Sequence, residues 1–160
     1  MKDMTIAQPR FDTEVKMPEY DVDKDGQIVK VLDEDGKEKK KFLTTSQTKV
    51  YNGKLREIYS SFVNSIEEDF RASLSDEEKK KLADFLLKKS KDIANWEYFV
   101  YKTPSKKSDI SGIQEMIDAE KERIKGILSY GDSPYNFVFD AMTDEGAIMM
   151  PKAINPKENE

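Results

Sequence analysis

The sequence contains neither cysteine nor histidine, and these two absences remove most of the familiar catalytic and metal chemistry. Without imidazole there can be no Ser/His/Asp triad, no histidine general base near neutral pH and no His-ligated zinc or haem. Without thiols there is no disulfide framework, no cysteine nucleophile and no thiolate metal site. We therefore expect no catalytic residues and no cofactor, and a protein that is not an enzyme.

Long apolar runs are missing as well. No stretch approaches the roughly 20 consecutive apolar residues that cross a bilayer, and residues 1–10 lack the apolar core of a signal peptide. The expected location is the cytoplasm, without membrane contact. A length of 160 residues predicts a single domain.

Charged residues are abundant, and they include both acidic and basic side chains. Charged residues make up 37% of the chain and the net charge is -5. A lysine-rich stretch at 79–91 shares its predicted helix with several acids, so it predicts a solvated helix face, and direct binding of nucleic acid is not expected. These acids are Asp76, Glu77, Glu78, Asp84 and Asp92. The acidity is concentrated after residue 104, which leaves open an alternative function as an acidic inhibitor or regulator of a nucleic-acid enzyme.

The first part of the chain has the pattern of strands and turns. Phe11, Val15 and Met17 alternate with charged residues, which is the period of a half-buried strand, and Pro18 would place that strand at an edge or end it. Two similar turn signals follow, Asp23-Lys24-Asp25-Gly26 and Asp33-Glu34-Asp35-Gly36. Their Asp side chains and glycines suit tight turns, so we predict a β-meander or hairpin.

The period changes to that of helices after Val50. Apolar residues spaced by three or four predict one helix up to Phe70, with Asn52 and Gly53 near its start. Ser75 and Glu78 form the signature of a capping box for a second helix. The run 98–101 either ends that helix or forms a short strand.

A third helix is predicted from Ile110 to Leu128, with Ser111 and Gln114 as its capping box. Ser133-Pro134 predicts another short helix and 147–150 a last strand, followed by a loose polar tail. The fold class is therefore α+β. An extended arm and β-hairpin (1–46) precede a three- to four-helix bundle (47–146) and a short C-terminal extension (147–160), within one compact domain.

The strongest metal motif is Asp21-Val22-Asp23-Lys24-Asp25-Gly26-Gln27-Ile28. Asp21, Asp23 and Asp25 occupy positions 1, 3 and 5 of an EF-hand-type loop, and Gly26 occupies position 6. Position 12, however, is Leu32 where a bidentate Glu is required, and no helix is predicted to enter or leave the loop. Turns are the favoured interpretation, and a calcium-stabilised binding module is kept as an alternative.

Other charged constellations have simpler explanations. Glu38-Lys39-Lys40 with Asp25 or Asp33 superficially resembles the spacing of some metal-dependent nucleases, but such triples arise readily by chance in a highly charged chain, and an exposed edge strand guarded by lysines is the favoured interpretation. Glu115, Asp118 and Glu122 share one face of the third predicted helix, opposite its isoleucines. That face is expected to be solvated, because nothing in the pattern predicts burial of its carboxylates.

The arm and the aromatic residues direct attention to protein partners. Trp96 to Tyr101 form the densest aromatic cluster, which is more often core than interface. Phe11, Val15 and Met17 of the arm are candidate partner contacts, by strand addition to a neighbouring chain. We therefore expect a non-enzymatic interaction, assembly or structural component with a protein partner or a homo-oligomeric state. A part of a phage particle or mobile element would fit this design, and its location would then be the virion.

Overall fold

The computed structural model describes Ile6, Gln8 and residues 10–23, 27–103, 107–129 and 153–156, with side chains of the last helix from residue 112 onward. These residues have the predicted α+β arrangement, with short strands followed by helices. The elements are β1 (Lys16–Pro18), β2 (Tyr20–Val22), β3 (Ile28–Lys30), β4 (Lys40–Phe42), α1 (Thr45–Ser65), α2 (Glu68–Ser73), α3 (Asp76–Lys102) and α4 (Lys107–Leu128). The short helix predicted at Ser133 and the strand predicted at 147–150 lie outside the described residues.

The strands form two antiparallel pairs, β1 with β4 and β2 with β3. Pro18 of β1 lies opposite Lys40 of β4. The neighbouring N–H of Glu19 donates to the carbonyl of Lys39 at 2.9 Å. Because bonded and non-bonded pairs alternate in an antiparallel ladder, Pro18 occupies a non-bonded pair, where a residue without an N–H costs nothing.

The turn at Asp33 to Gly36 is confirmed. One Asp33 carboxylate oxygen accepts the N–H of Asp35 at 2.9 Å and that of Lys37 at 3.0 Å, while Gly36 has a φ of 77°. Only the ends of the first turn are described. There the Asp23 N–H donates to the Gln27 carbonyl at 2.9 Å, and the Gln27 N–H donates to the Asp23 carboxylate at 2.9 Å.

The predicted start of the first helix was wrong. The helix α1 already begins at Thr45, because Thr44 and Gln47 form a capping box with bonds of 3.2 Å and 3.0 Å. Gly53 lies inside the helix, where the buried apolar stripe of α1 outweighs its weak helix propensity. The helix also ends earlier than predicted, at Ser65, and the separate short helix α2 contains Phe70.

The capping box of α3 is confirmed, with Ser75 and Glu78 exchanging bonds of 3.2 Å and 2.8 Å. This helix runs to Lys102, so the aromatic run 98–101 completes the helix and forms no strand. The predicted capping box of the third long helix was wrong, because α4 begins at Lys107 and Ser111 is already helical.

A single apolar cluster joins the helices to the strands. The helix α1 packs mainly on α3, and α4 packs on both. Phe62, Leu82, Leu86 and Ile117 are fully buried between them, while the arm and hairpin contribute a smaller set: Ile6, Val15, Met17 and Ile28. The strand layer therefore lies against one side of the helical layer.

Residue Ile154, from the part of the sequence predicted to be a loose tail, pairs with β3. Its N–H donates to the Ile28 carbonyl at 2.9 Å, and its carbonyl accepts the Lys30 N–H at 2.8 Å. This parallel bridge pairs Ile154, near the carboxyl end of the sequence, with Val29 of β3 in its amino-terminal part. No helix within the described ranges is long and apolar enough to span a membrane.

Candidate protein-binding groove

A groove of about 290 Å³ lies between the strand layer and the carboxyl-terminal half of α3. We call it the β1–α3 groove. Its strand side runs from β1 into β2 and includes the end of β4, and its helix side is the last two turns of α3. It is lined by Met17, Pro18, Glu19, Tyr20, Asp21, Lys41, Leu43, Asn95, Tyr98, Phe99, Lys102 and Thr103.

Aromatic rings join β2 to α3 on the strand side of the groove. The ring of Tyr20 stacks on Trp96 with centroids 5.2 Å apart and an interplanar angle of 11°. It also meets the ring of Phe99 edge-on, at 6.1 Å and 73°. Offset and edge-to-face pairs of this kind stabilise a contact beyond the area that they bury. The position of β2 on the helix is therefore set by a specific aromatic arrangement.

The hydroxyl of Tyr20 donates to a carboxylate oxygen of Glu38 at 3.2 Å. Burial raises the pKa of Tyr20 to about 12, and the negative charge and hydrogen bond of Glu38 add to the increase. The phenol therefore remains a protonated donor at neutral pH. This bond ties β2 to the segment before β4.

On the helix side, Tyr51 of α1 donates to the side-chain carbonyl of Asn95 at 3.0 Å. Burial, followed by the charges of Asp92 and Asp12, raises the pKa of Tyr51 to about 12. The ring of Tyr98 packs edge-on against Tyr51, with centroids 6.3 Å apart, and burial raises the pKa of Tyr98 as well. The helix α1 thus contacts the groove-lining residues Asn95 and Tyr98 of α3 and fixes their positions.

The elements that form the groove also carry two exposed aromatic side chains, Tyr101 next to the groove-lining Tyr98 and Phe42 on the outer face of β4. Phe42 of β4 is 58% exposed and Tyr101 of α3 is 62% exposed. The ammonium of Lys16 lies 5.1 Å from the Phe42 centroid, and that of Lys54 lies 5.1 Å from the Tyr101 centroid. Cation–π pairs hold such rings in place at modest energy when both groups face water. Both rings are therefore presented to solvent.

The three arm residues predicted to contact a partner have different environments. Val15 and Met17 are 9% and 7% exposed and belong to the core of the same chain. Met17 also lines the groove. Phe11 is half-buried, with the Arg56 guanidinium 4.7 Å from its ring centroid. In this conformation Val15 is covered by its own chain and offers no surface to a neighbour.

The aromatic cluster predicted from the sequence divides between core and surface. Tyr98 is buried, Trp96 and Phe99 pack against the core while partly exposed, and Tyr101 points outward. Sequence reasoning overlooked Phe42. The alternation along β4 contained the signal, because Leu43 and Lys41 share the groove face and Phe42 must then lie on the opposite face.

The acidic residues of the calcium motif accept local backbone hydrogen bonds where they are described. An Asp21 carboxylate oxygen accepts the N–H of Val22 at 2.9 Å, and Asp23 accepts that of Gln27. Asp25 lies outside the described residues. Within the described part of the chain, no group of three or more acidic side chains is arranged to hold a metal. Calcium binding stays a prediction that calorimetry with calcium tests.

A second cavity, of about 310 Å³, lies between α1, α3 and α4. It is lined mainly by charged side chains, among them Glu57, Glu97, Lys121 and Lys125. Lys121 and Glu97 form an ion pair across it. The cavity is best described as a solvated ion-pair site between helices.

The other charged constellations are dispersed. Asp33 bonds its own turn, Glu38 accepts from Tyr20, and Lys39 pairs with Glu19 at 3.5 Å. In the form of the nuclease-like triple that uses Asp33, these acids are therefore engaged in separate local contacts, and Asp25 lies outside the described residues. On α4, Glu115, Asp118 and Glu122 are exposed, as predicted.

The lysines of α3 depart in part from the predicted solvated face. Lys79 and Lys89 are only 8% and 6% exposed. The Lys79 ammonium lies 4.0 Å from an Asp76 carboxylate oxygen, and the Lys89 ammonium lies 5.9 Å from the Phe85 ring centroid. Their long apolar stems are packed against the helices, which charge alone does not reveal.

The chain matches no protein-family model, no curated protein and no solved structure. The candidate site therefore depends on its own geometry alone.

Proposed function

We propose that this protein is a non-enzymatic interaction or assembly component that binds a protein partner at the β1–α3 groove. The observation that carries the proposal is the combination of an apolar and aromatic groove with two exposed aromatic side chains on the elements that form it, Tyr101 beside the groove-lining Tyr98 and Phe42 on the outer face of β4. Binding energy at protein interfaces is concentrated in a few aromatic and arginine anchors surrounded by polar residues. Phe42 and Tyr101 supply such anchors, and Lys41 and Lys102 supply charges beside them.

The groove is also built for binding without rearrangement. Its walls are held by the Tyr20–Trp96 stack and by the Tyr51–Asn95 hydrogen bond. A preformed site loses less conformational entropy on binding than one that must be ordered by its ligand. Burial of one aromatic side chain contributes about 1.5–3 kcal/mol, so two anchors suffice for a measurable contribution to affinity.

Photo-crosslinking tests this proposal. A photoreactive benzoylphenylalanine is placed at position 101 and, as a matched control, at the exposed Glu77. Both positions lie on α3, roughly 36 Å apart by the rise of an α-helix. In cells of the source organism, position 101 is expected to yield a discrete crosslinked protein and position 77 is not.

The crosslinked partner is then purified and its affinity measured with the two purified proteins. The double variant Phe42→Ala/Tyr101→Ala is expected to weaken binding at least tenfold, because each truncated anchor contributes more than about 1 kcal/mol. Its melting temperature should remain close to that of the wild type, since both side chains are exposed. The absence of a specific product at position 101, or unchanged affinity of the double variant, would contradict the proposal.

A further inference from the structure

The outer edge of β4 carries backbone groups that β1 does not use. The Leu43 N–H donates to the Val15 carbonyl at 2.8 Å, and the Glu19 N–H donates to the Lys39 carbonyl at 2.9 Å. Bonded pairs alternate with non-bonded pairs between these two positions. The non-bonded positions on β4 are therefore Lys40 and Phe42, whose N–H and carbonyl groups point away from β1.

All three residues of β4 are exposed. Within the described ranges, the sheet consists of β1 and β4 alone, so no further strand lies beside β4. Such an edge is a template for another extended chain. A strand added here would also place every second side chain on the face shared by Lys41 and Leu43, which line the β1–α3 groove.

The charge along this edge is positive although the whole chain is acidic. Four lysines occupy positions 37, 39, 40 and 41. The single acid between them, Glu38, accepts a hydrogen bond from Tyr20, and Lys39 pairs with Glu19. Lys40 and Lys41 have no ion pair with any described residue, and Lys16 adds a third charge above Phe42. An incoming strand with carboxylates would neutralise these charges.

We infer that β4 binds an acidic, extended segment of the partner protein as an additional strand, with an apolar side chain of that segment in the β1–α3 groove. This inference rests on the proposed function and specifies the partner's chemistry. A second copy of the chain is disfavoured as the occupant, because edge-to-edge pairing of two β4 strands would bring lysines against lysines.

Selection from a displayed library of short random peptides, with the full chain as the target, tests the inference. The enriched peptides are expected to be rich in Asp and Glu and to bind more weakly as salt increases. They should bind the Lys40→Pro variant at least about fivefold more weakly than the Lys40→Ala variant, because only the proline removes the outward N–H donor. Lys40→Ala separates the effect of charge from that of the backbone.

Proline at position 40 leaves the bonds to β1 intact, as Pro18 does on the opposite strand, so the unfolding midpoint should stay near that of Lys40→Ala. If Lys40→Pro proves unstable, the same test uses the wild-type chain and an enriched peptide whose backbone nitrogens are methylated. The methylated peptide should bind at least about fivefold more weakly than the unmodified peptide.

Four results would overturn the inference. The first is enrichment of peptides without acidic character, and the second is equal binding of the enriched peptides by Lys40→Pro and Lys40→Ala. The third is self-association of the chain that Lys40→Pro abolishes. The fourth is binding of oligothymidylate in competition with the peptides. Peptides that lack acidic residues but lose affinity with Tyr101→Ala would overturn the strand inference while supporting the proposed function. A failure to enrich any peptide, together with a specific crosslink at position 101, would have the same meaning.

Discussion

The helical layer and the strand layer of this protein are held by different amounts of buried surface. In the helices, Phe62, Leu82 and Leu86 are completely buried. In the strand layer, the most deeply buried residues after Ile6 are Met17 at 7% exposure and Ile28 at 8%. Each strand is only three residues long. The candidate groove lies at the boundary between a rigid helix and short strands whose stability depends on that helix.

This difference is relevant to the proposed binding site. Elements with few buried contacts have the lowest local stability, and binding surfaces are commonly drawn from them. The strand layer keeps its place through a small number of specific contacts, among them the stack of Tyr20 on Trp96 and the hydrogen bond from Tyr20 to Glu38. Four measurements, ordered by their expected effect at neutral pH, test the comparison.

The largest effect is expected in the helical layer. Phe62→Ala removes a completely buried ring and should lower the free energy of unfolding by about 3–5 kcal/mol, because the apolar burial and the packing contacts of a whole phenyl ring are lost. Urea denaturation followed by circular dichroism measures it. The neighbouring exposed residue Asn64, replaced by alanine, is the control, and its effect should stay within about 0.5 kcal/mol. A similar loss in both variants would show that burial does not distinguish them.

A smaller effect is expected in the strand layer. Met17→Ala should cost about 2 kcal/mol, at the low end for a buried methionine, because the adjoining groove lets water and side chains fill the space. The exposed neighbour Lys16, replaced by alanine, is its control. Urea denaturation gives the cost, and limited proteolysis shows whether the arm opens first. If Met17→Ala cost as much as Phe62→Ala, the two layers would be equally well packed.

A helix cap should contribute less again. Ser75→Ala removes the hydroxyl that accepts the Glu78 N–H, and we expect a loss of about 1 kcal/mol. Ser75→Asp keeps an acceptor and is the matched control, with near wild-type stability. The unfolding midpoint in urea measures both. An equal loss in the two variants would mean that the cap contributes nothing at this end of α3.

Tyrosine ionisation is expected to have essentially no effect on the free energy of unfolding at neutral pH, which makes it the smallest of the four effects. The pKa values of Tyr20, in the strand layer, and Tyr51, in the helical layer, are raised to about 12. The unfolded chain loses these protons near pH 10 and the folded chain retains them. The contribution of the two protonated tyrosines to the free energy of unfolding is therefore fully present below about pH 10 and is lost as the pH rises toward about 12.

Urea midpoints between pH 8 and pH 11.5 test this pH dependence and the coupling of the two layers. Tyr20→Phe and Tyr51→Phe should each make the alkaline loss of stability shallower than in the wild type. If the layers unfold as one unit, both variants shift the same transition. Two separate transitions, each sensitive to one variant, would show that the strand layer unfolds independently.

Local chemistry made much of the fold predictable. The capping box at Ser75, the turn at Asp33 to Gly36 and the apolar stripe of α1 each depend on residues close together in sequence. Errors arose where two local signals competed. Gly53 suggested a helix start, yet the cap at Thr44 and the packing of α1 on α3 extended the helix through it. Propensity is weaker than tertiary packing at such a position.

The candidate site was predictable only in part. The alternation of Phe11, Val15 and Met17 correctly indicated residues with an apolar contact to make, but it could not tell whether that contact lies within the chain or with a neighbour. The fold places Val15 and Met17 in the chain's own core. The exposed positions of Phe42 and Tyr101 follow from which face of β4 and α3 the rest of the chain covers.

The amino-acid composition alone excluded histidine and cysteine chemistry, and the spacing of apolar and polar residues alone predicted short strands followed by long helices. These properties depend on residue type and on separations of a few positions. The tertiary structure decided that the arm folds onto its own helices, that no other described strand pairs with the outer edge of β4, and that Tyr20 meets Trp96. Such contacts join residues distant in sequence, and their geometry is set by packing that no local pattern encodes.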